Sequence, residues 1–233
     1  MTQTQAPPPS PIGRVSFAIN AMSAWLGLAV ALVLAVFAVY PNNQTDPTLV
    51  GFNEPDLAGL PGRLFDYLGY FTHLSNLLVA VVMTMLWRNA HRVSRAFRVL
   101  RLDTLIMISV SGLVFAVVLA PTVELRGWEY LSSSLEHYIT PVLTIIVFIV
   151  FGPRGLVRPS TILPALILPL AWVAFALVRG AVITSYPYDF IDVAKHGYGT
   201  VFVNIAGVVA LGVLLGVLFW GVELLAQRAS SRR

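Results

Sequence analysis

The sequence predicts an all-α membrane protein, folded as a polytopic bundle of six transmembrane helices. Of its 233 residues, 57% are hydrophobic and only 11% are charged, and the mean hydropathy is +0.79. A chain of this composition has too few polar side chains to cover its apolar surface in water. It also contains six apolar runs with the roughly 20 residues that a helix needs to cross about 30 Å of hydrocarbon. These observations exclude a soluble globular fold.

The six predicted spans follow one another without a linker long enough to hold a separate soluble domain. They are placed near 17–40, 66–87, 102–120, 135–151, 162–179 and 200–222. A tail over 1–15, rich in Pro, Gln and Thr, is predicted to be disordered. The six-helix domain then covers 16–226, and a basic tail covers 227–233.

The charged residues are distributed unequally between the two sides of the predicted bundle. Arginines fill the loop after the second span, the loop after the fourth and the end of the chain, whereas the other loops carry most of the Asp and Glu. By the positive-inside rule, both termini are therefore cytoplasmic. The same rule accounts for the net charge of +4, so no nucleic-acid partner is expected. The chain has no cysteine, which excludes disulfides, thiolate nucleophiles and Cys-ligated metals.

The second span opens with an unusual polar cluster, YFTHLSN. Thr72, Ser75 and Asn76 are spaced i, i+3 and i+4, which predicts one polar stripe on the helix. Thr72 is expected about two turns below the outer surface, at a rise of about 1.5 Å per residue. His73 follows Thr72 directly and so points roughly 100° away from it. A base for Thr72 is therefore expected from another helix.

The fourth span opens with SSSLEH, which is typical of a capping box between Ser133 and Glu136. This pattern predicts that His137 lies in the first turn of its helix, where the positive end of the helix dipole favours a neutral imidazole. Pro141 predicts a kink in the same span, and the freed carbonyls then need partners within the bundle. Pro164 and Pro169 predict kinks in the fifth span for the same reason.

These residues are consistent with a hydrolytic site near the outer face. The Thr72 hydroxyl is the predicted nucleophile and His137 the predicted base. Asn76, with Ser75 beside it, is a candidate donor to an oxyanion, an interaction commonly worth about 3 kcal/mol. Asp189 or Asp192 is a candidate for orienting an imidazole.

Each of these residues also has a structural interpretation. Thr72, Ser75 and Asn76 are of the types that commonly form hydrogen bonds within or between transmembrane helices. Asp189 suits a turn or a helix cap, and His73 suits either a functional or a structural role. Three tyrosines are predicted either to line a substrate entrance or to anchor the chain at the membrane interface. They are Tyr70, Tyr186 and Tyr188.

Three short stretches, YFTHLSNLL, LEHYITPVL and SYPYDFIDV, together resemble the androgen-induced-protein family and its bacterial six-span branch. Members of that family in animals are transmembrane threonine hydrolases that cleave fatty acid esters of hydroxy fatty acids. The resemblance covers roughly residues 66 to 200 and implies that Thr72 and His137 are catalytic, with a lipid ester as substrate. The S-N pair after Thr72 and the spacing from His137 to Pro141 depart from the family's pattern, so the role of Asn76 and the acyl substrate stay open.

Two other functions are compatible with the sequence. His73 and His137 on alternate spans are candidate ligands for one b-type haem of an electron carrier. A transporter or a non-catalytic scaffold is the third interpretation, although no internal repeat is visible. The lipid ester hydrolase ranks first, without metal or cofactor, as a multi-pass protein of a bacterial cell membrane with its site toward the outer face. The sequence does not indicate an oligomeric state.

Overall fold

The computed structural model describes residues 11–39 and 46–230, which fold into a bundle of α-helices. Their bounds are α1 Pro11–Val36, α2 Leu60–Gly69, α3 Phe71–Arg88, α4 Arg95–Val114, α5 Glu129–Ser134, α6 Thr140–Phe151, α7 Ile167–Ile183 and α8 Val193–Ser230. Two π-helical turns interrupt this pattern, one at Phe115–Leu119 after α4 and one at Leu135–Ile139 between α5 and α6.

Six helical segments are long and apolar enough to cross a membrane, which confirms the predicted six-span bundle. They are Pro11–Val36, Phe71–Arg88, Arg95–Leu119, Glu129–Phe151, Pro159–Ile183 and Val193–Ala229. Their outward faces expose large apolar side chains such as Leu26, Val178 and Val203, as a surface in contact with lipid does. Because six crossings are an even number, the described chain begins and ends on one side, here called the terminal end. The opposite side is called the distal end.

The first span begins earlier than its sequence pattern predicts. The tail was expected to be disordered over 1–15, but residues 11–15 belong to α1, which starts at Pro11. Proline is favourable there because its missing N–H would have no partner in the first turn of a helix. Residues 1–10, and the last three residues of the predicted basic tail, lie outside the described part of the chain.

The second predicted span is divided into two helices. Tyr70 has extended backbone angles and separates α2 from α3, and the carbonyl of Gly69 accepts a hydrogen bond of 2.9 Å from the Trp172 indole N–H. The membrane span therefore starts at Phe71, not near residue 66. Thr72 lies in the first turn of α3 rather than two turns into the helix, as the sequence suggested.

The prolines act at two of the three predicted positions. Pro141 is the second residue of α6, just after the π-helical turn, and Pro164 starts a short 3₁₀ turn before α7. Pro169 lies in the first turn of α7, where a missing N–H costs no intrahelical hydrogen bond. It therefore causes no break.

Helix α1 packs closely on α3 and α6 through small and polar side chains. Asn20 donates a hydrogen bond of 3.1 Å to the Thr144 hydroxyl, and the Ser23 and Thr140 hydroxyls lie 2.8 Å apart. Such contacts take the place of the hydrophobic effect, which does not drive helices together inside lipid. At Gly27 the helices are so close that an added Cβ would lie 2.8 Å from Glu136 Cγ.

At the distal end, the segment after α1 is joined to the segment before α8. Leu49 and Tyr186 form a parallel bridge, in which the Val50 N–H donates to the Tyr186 carbonyl at 2.8 Å. The Tyr186 ring is buried against Gly180, where an added Cβ would overlap it at 2.1 Å. Gly197, with φ of 74°, interrupts α8 near its start. These contacts hold the segment after α1 against the segment before α8.

Candidate active site

A cavity of about 640 Å³ lies at the distal end and collects most of the polar residues selected from the sequence. Its walls come from α1, α3 and α5, from both π-helical turns and the loop after the first, and from the segments before α2 and α8. The candidate residues that line it are Tyr70, Thr72, His73, His137, Tyr188 and Asp189. Side chains from distant parts of the chain therefore meet at one site.

Thr72 lies on the cavity wall with its side chain fixed by Tyr188. The Tyr188 phenol accepts a hydrogen bond from the Thr72 backbone N–H and lies 3.3 Å from the Thr72 hydroxyl oxygen. Burial raises the pKa of Tyr188 to about 12, so the phenol keeps its proton at neutral pH. Tyr188 is thus a hydrogen-bond donor beside the Thr72 oxygen, a relation that the sequence did not reveal.

His137 lies on the π-helical turn and faces the same cavity. Its ring stacks on Phe115 with a centroid distance of 3.7 Å and an interplanar angle of 8°. Its Nδ1 has no hydrogen-bond partner among the residues described. The structure gives no hydrogen bond between Thr72 and His137. The two side chains line the same cavity without a hydrogen bond between them.

The predicted capping box at the start of the fourth span is wrong. The helix begins at Glu129, so Ser133 and Glu136 lie within it rather than at its N-terminus, and both side chains are buried. His137 consequently lies more than one turn from the helix start. The dipole argument for its neutrality does not apply, because that field falls off within the first turn.

Asn76 stabilises the irregular turn instead of facing a substrate. In the π-helical turn the Thr140 N–H bonds to the Leu135 carbonyl, and Pro141 has no N–H to offer the Glu136 carbonyl. The Asn76 amide donates to that carbonyl at 3.2 Å and to the Thr72 carbonyl at 3.0 Å. A carbonyl freed near Pro141 was expected to need a partner within the bundle, and that partner is Asn76.

Ser75 is likewise used within its own helix. Its hydroxyl donates to the Thr72 carbonyl at 2.9 Å, and both Ser75 and Asn76 are fully buried. The stripe of Thr72, Ser75 and Asn76 predicted from their spacing is confirmed, since all three residues are on the buried face of α3. Of the three, Thr72 lines the cavity, and Asn76 is not placed to donate to an oxyanion.

His73 contacts the cavity from the neighbouring position on α3. Its Nδ1 lies 2.6 Å from the Tyr67 carbonyl, and its ring stacks on the Tyr67 ring at 4.1 Å. Its Nε2 lies 3.7 Å from Oε1 of Glu136. Glu136 is 4% exposed and lines the cavity, so it is part of the site rather than a helix cap.

Neither Asp189 nor Asp192 contacts an imidazole of the cavity. Asp189 binds Lys195 at 2.6 Å and His196 at 3.0 Å. Asp192 is fully buried and accepts a hydrogen bond of 3.1 Å from the Lys195 backbone N–H, which caps the start of α8. The proposed orienting role of these carboxylates is therefore not supported by their contacts.

Asp189 and Asp192 also take part in contacts between the segment before α8 and the segment after α1. Lys195 binds Asp189 and also Asp46, the latter at 3.0 Å. The Thr48 hydroxyl lies within hydrogen-bond distance of both Asp46 and Asp192. We call this group of Asp46, Thr48, Asp189, Asp192 and Lys195 the distal clasp.

Acid is expected to open the distal clasp. Hydrogen bonds from Thr48 and then from Lys195 lower the pKa of Asp46 to about 2, and the hydrogen bond from Lys195 also lowers the pKa of Asp189. A carboxylate with a lowered pKa stabilises the fold above its unfolded pKa of about 4, and this stabilisation is lost as the pH falls toward its folded value. Amide hydrogen exchange at Val50, corrected for its intrinsic pH dependence, should therefore rise over this range.

The variant Asp46→Asn provides the matched control for this prediction. It removes the charge that Lys195 binds, so exchange at Val50 should be raised already at neutral pH and depend less on acid. Unchanged exchange at Val50 throughout the acid titration would contradict an electrostatic clasp.

The tyrosines divide between two locations. Tyr70 and Tyr188 line the cavity and their rings meet edge to face at 5.8 Å, whereas Tyr186 is buried in the bridge with Leu49 and does not line it. The interpretation of Tyr186 as a substrate-binding residue is therefore replaced by a packing role.

An apolar pocket of about 70 Å³ adjoins the polar cavity. Thr72 and Tyr188 line both spaces, so these two residues lie where the polar cavity and the apolar pocket adjoin. The remaining walls come from apolar side chains of α3, α4, α7 and α8, among them Phe71, Ile106, Val110, Trp172 and Val208.

Two cavity residues were missed as site residues because their sequence signals have ordinary explanations. Glu136 matches a capping box, and Lys195 is a single charge in a loop rich in aromatic residues. Pro141, five residues after Glu136, is the sequence feature that distinguishes this glutamate, because a proline predicts irregular backbone in the preceding turn.

The fold and the cavity together define a six-span membrane protein with a polar site at one end of its bundle. In the part of the chain that the structure describes, no group of three or more His, Cys, Asp or Glu is arranged to hold a metal ion. Comparison of the chain with family models, curated proteins and solved structures finds no match. The resemblance to the androgen-induced-protein family thus stays a prediction that rests on three short motifs.

Proposed function

We propose that the protein is an integral-membrane hydrolase of lipid esters, with Thr72 as nucleophile and His137 as general base. The observation that carries the proposal is the position of Thr72. Thr72 lines both an apolar pocket and a polar cavity that His137 also lines. An ester with the first carbons of its acyl chain in the apolar pocket would place its carbonyl carbon beside Thr72.

The chemistry requires a base because a threonine hydroxyl is a weak nucleophile. As the Thr72 oxygen attacks the ester carbonyl, its proton passes to His137, which then gives it to the departing alcohol. The substrate has to fill the space between the two side chains, and hydrogen bonds of catalytic groups commonly tighten only when substrate is bound. Tyr188 is the donor best placed for the oxyanion, since its phenol already lies 3.3 Å from the Thr72 oxygen.

The orientation follows from the charges of the loops. Arginines are concentrated at the terminal end, including Arg88, Arg92 and Arg154, and the positive-inside rule assigns that end to the cytoplasm. The cavity then faces the outer side of a cell membrane, and its lipid substrate comes from the outer leaflet. A bacterial inner membrane is the location that the resemblance implies.

A fluorophosphonate probe tests this proposal directly. Detergent-purified protein is treated with the probe, and the adduct is mapped by mass spectrometry. We expect the label at position 72 in the wild type. We also expect it there in Thr72→Ser, which keeps a hydroxyl, but not in Thr72→Ala.

Thr84→Ala is the matched control because Thr84 lies on the same helix, where its hydroxyl bonds to the Ala80 carbonyl. This variant should be labelled at Thr72 like the wild type. An unlabelled but folded wild type, or a label on another residue that persists in Thr72→Ala, would overturn the proposal.

A further inference from the structure

His73 and Glu136 form a second acid–base pair in the cavity, and the mechanism above does not use it. The two side chains come from α3 and from the π-helical turn, and both line the cavity that holds Thr72. Three features of this pair indicate a role in proton transfer.

The first feature is the tautomer of His73. A backbone carbonyl only accepts hydrogen bonds, so the Nδ1 atom that lies 2.6 Å from the Tyr67 carbonyl has to carry a proton. In the neutral ring, Nε2 is then the unprotonated nitrogen with a lone pair available. Stacking on the Tyr67 ring at 4.1 Å holds the imidazole in this orientation. His73 is therefore preorganised as a base through Nε2.

The second feature is the isolation of Glu136. Its side chain is 5% exposed, and its Oε1 has no hydrogen-bond partner among the residues described. The charged side chain within ion-pair distance of it is His73, at 3.7 Å from Nε2. A buried carboxylate without a partner is costly, and this cost falls when His73 takes a proton and its imidazolium faces Glu136. Glu136 therefore favours transfer of a proton to His73 Nε2.

The third feature is the fixed position of the carboxylate. Gly27 of α1 leaves just enough space for the Glu136 side chain, since an added Cβ would lie 2.8 Å from its Cγ. The other titratable side chains near the pair are Tyr67, His137 and Tyr188, none of which forms a hydrogen bond with Glu136. Glu136 therefore influences proton transfer in the cavity through its contact with His73.

From these features we infer that His73, supported by Glu136, is the base that activates water for the second half of the reaction. The inference rests on the proposed function, because it needs an acyl group on Thr72. The water oxygen forms a bond to the acyl carbon, and a water proton passes to His73 Nε2. The bond between the acyl carbon and the Thr72 oxygen then breaks, and the Thr72 oxygen takes the electron pair and that proton. The fatty acid is released, and both histidines are neutral again.

The two histidines therefore act in different steps of the reaction. His137 protonates the departing alcohol, and His73 takes a proton from the incoming water. His73 is a catalytic residue in this assignment, and Glu136 is a positioning residue that faces the imidazolium formed when His73 takes the water proton.

The test uses 4-nitrophenyl octanoate with the detergent-purified full chain, monitored by nitrophenol release and by intact-protein mass spectrometry. In Glu136→Gln and His73→Gln, the first turnover should proceed, and an octanoyl adduct should accumulate on Thr72. Steady-state turnover should fall about 100-fold, the lower range for loss of a general base. Fluorophosphonate labelling of Thr72 should keep its wild-type rate. Glu124→Gln, which changes an exposed glutamate outside the cavity, should behave as the wild type.

The outcomes separate this inference from the proposed function. An adduct that accumulates in both variants supports the assignment. Wild-type turnover without an adduct overturns it, and so does loss of labelling together with turnover in folded variants, because the pair would then serve the first step. A wild type that neither reacts with the probe nor hydrolyses the ester removes the proposed function and the inference with it.

A measurement on the wild type avoids any dependence on folding of the variants. The ¹⁵N chemical shifts of His73 report which ring nitrogen carries the proton. We expect the neutral ring to be protonated at Nδ1, and a ring protonated at Nε2 alone would overturn the inference, because Nε2 could not accept a proton from water.

Discussion

Replacing His137 is expected to lower kcat/KM for ester hydrolysis by about 10²–10⁴-fold, the usual contribution of general acid–base catalysis. His137 lines the cavity, and its Nδ1 has no hydrogen-bond partner within residues 11–39 and 46–230, so this nitrogen is available to accept the Thr72 proton. The loss should appear mainly in kcat, because the imidazole acts in the transition state rather than in holding the acyl chain. The measurement is the hydrolysis of a fluorogenic acyl ester by the detergent-solubilised protein.

Two variants distinguish a chemical role of His137 from a packing role. The imidazole stacks on Phe115 at 3.7 Å, so His137→Ala removes both the base and the stacking contact. His137→Phe keeps an aromatic ring against Phe115 but has no basic nitrogen, and it should lose as much activity as His137→Ala. His91→Ala, at an exposed position of the terminal end, should leave activity unchanged. An active His137→Phe variant would show that packing matters and that another group is the base.

Removing Asp66 is expected to destabilise the bundle by about 3–5 kcal/mol, the cost of leaving one partner of a buried ion pair alone. Asp66 of α2 forms an ion pair with Arg179 of α7, and each side chain is 11% exposed. The Asn53 amide donates to the second oxygen of the same carboxylate. Asp66→Ala leaves the Arg179 guanidinium buried without its counter-ion. Reversible unfolding of the detergent-solubilised variant by increasing SDS measures the loss.

The double variant Asp66→Leu with Arg179→Met is the control for this prediction. It removes both charges and keeps apolar volume, so much of the lost stability should return. A double variant that is as unstable as Asp66→Ala would show that packing, not charge, accounts for the loss. Since α2 also carries Tyr67, which holds His73, the single variant should lose activity before it unfolds completely.

The membrane architecture was predictable because it depends on composition and on the length of the apolar runs. The polar stripe of α3 was also predictable, since the spacing of Thr72, Ser75 and Asn76 fixes their common face. Spacing carries no information about hydrogen-bond partners on other helices. For this reason the sequence assigned Asn76 to an oxyanion, whereas the structure pairs it with the carbonyl that Pro141 leaves without a donor.

Local backbone irregularities set the limit of the sequence prediction. A hydropathy pattern does not distinguish a continuous helix from one that is broken at Tyr70, because both present the same apolar residues. The capping box was misassigned for a related reason. The S-x-x-E pattern marks a helix start only where the chain is not already helical, and here the helix has begun at Glu129.

The π-helical turn Leu135–Ile139 makes the fourth span one residue longer than a regular helix of the same rise. Such a turn is equivalent to a single-residue insertion, and it rotates the outer part of the helix by roughly 100° relative to the inner part. The part toward the terminal end keeps Thr140 and Thr144 against α1, while the π-helical turn places Glu136 and His137 at the cavity. A substitution of His137 therefore alters the cavity without changing the hydrogen bonds of Thr140 and Thr144 to α1, whereas a larger side chain at Glu136 would also press on Gly27.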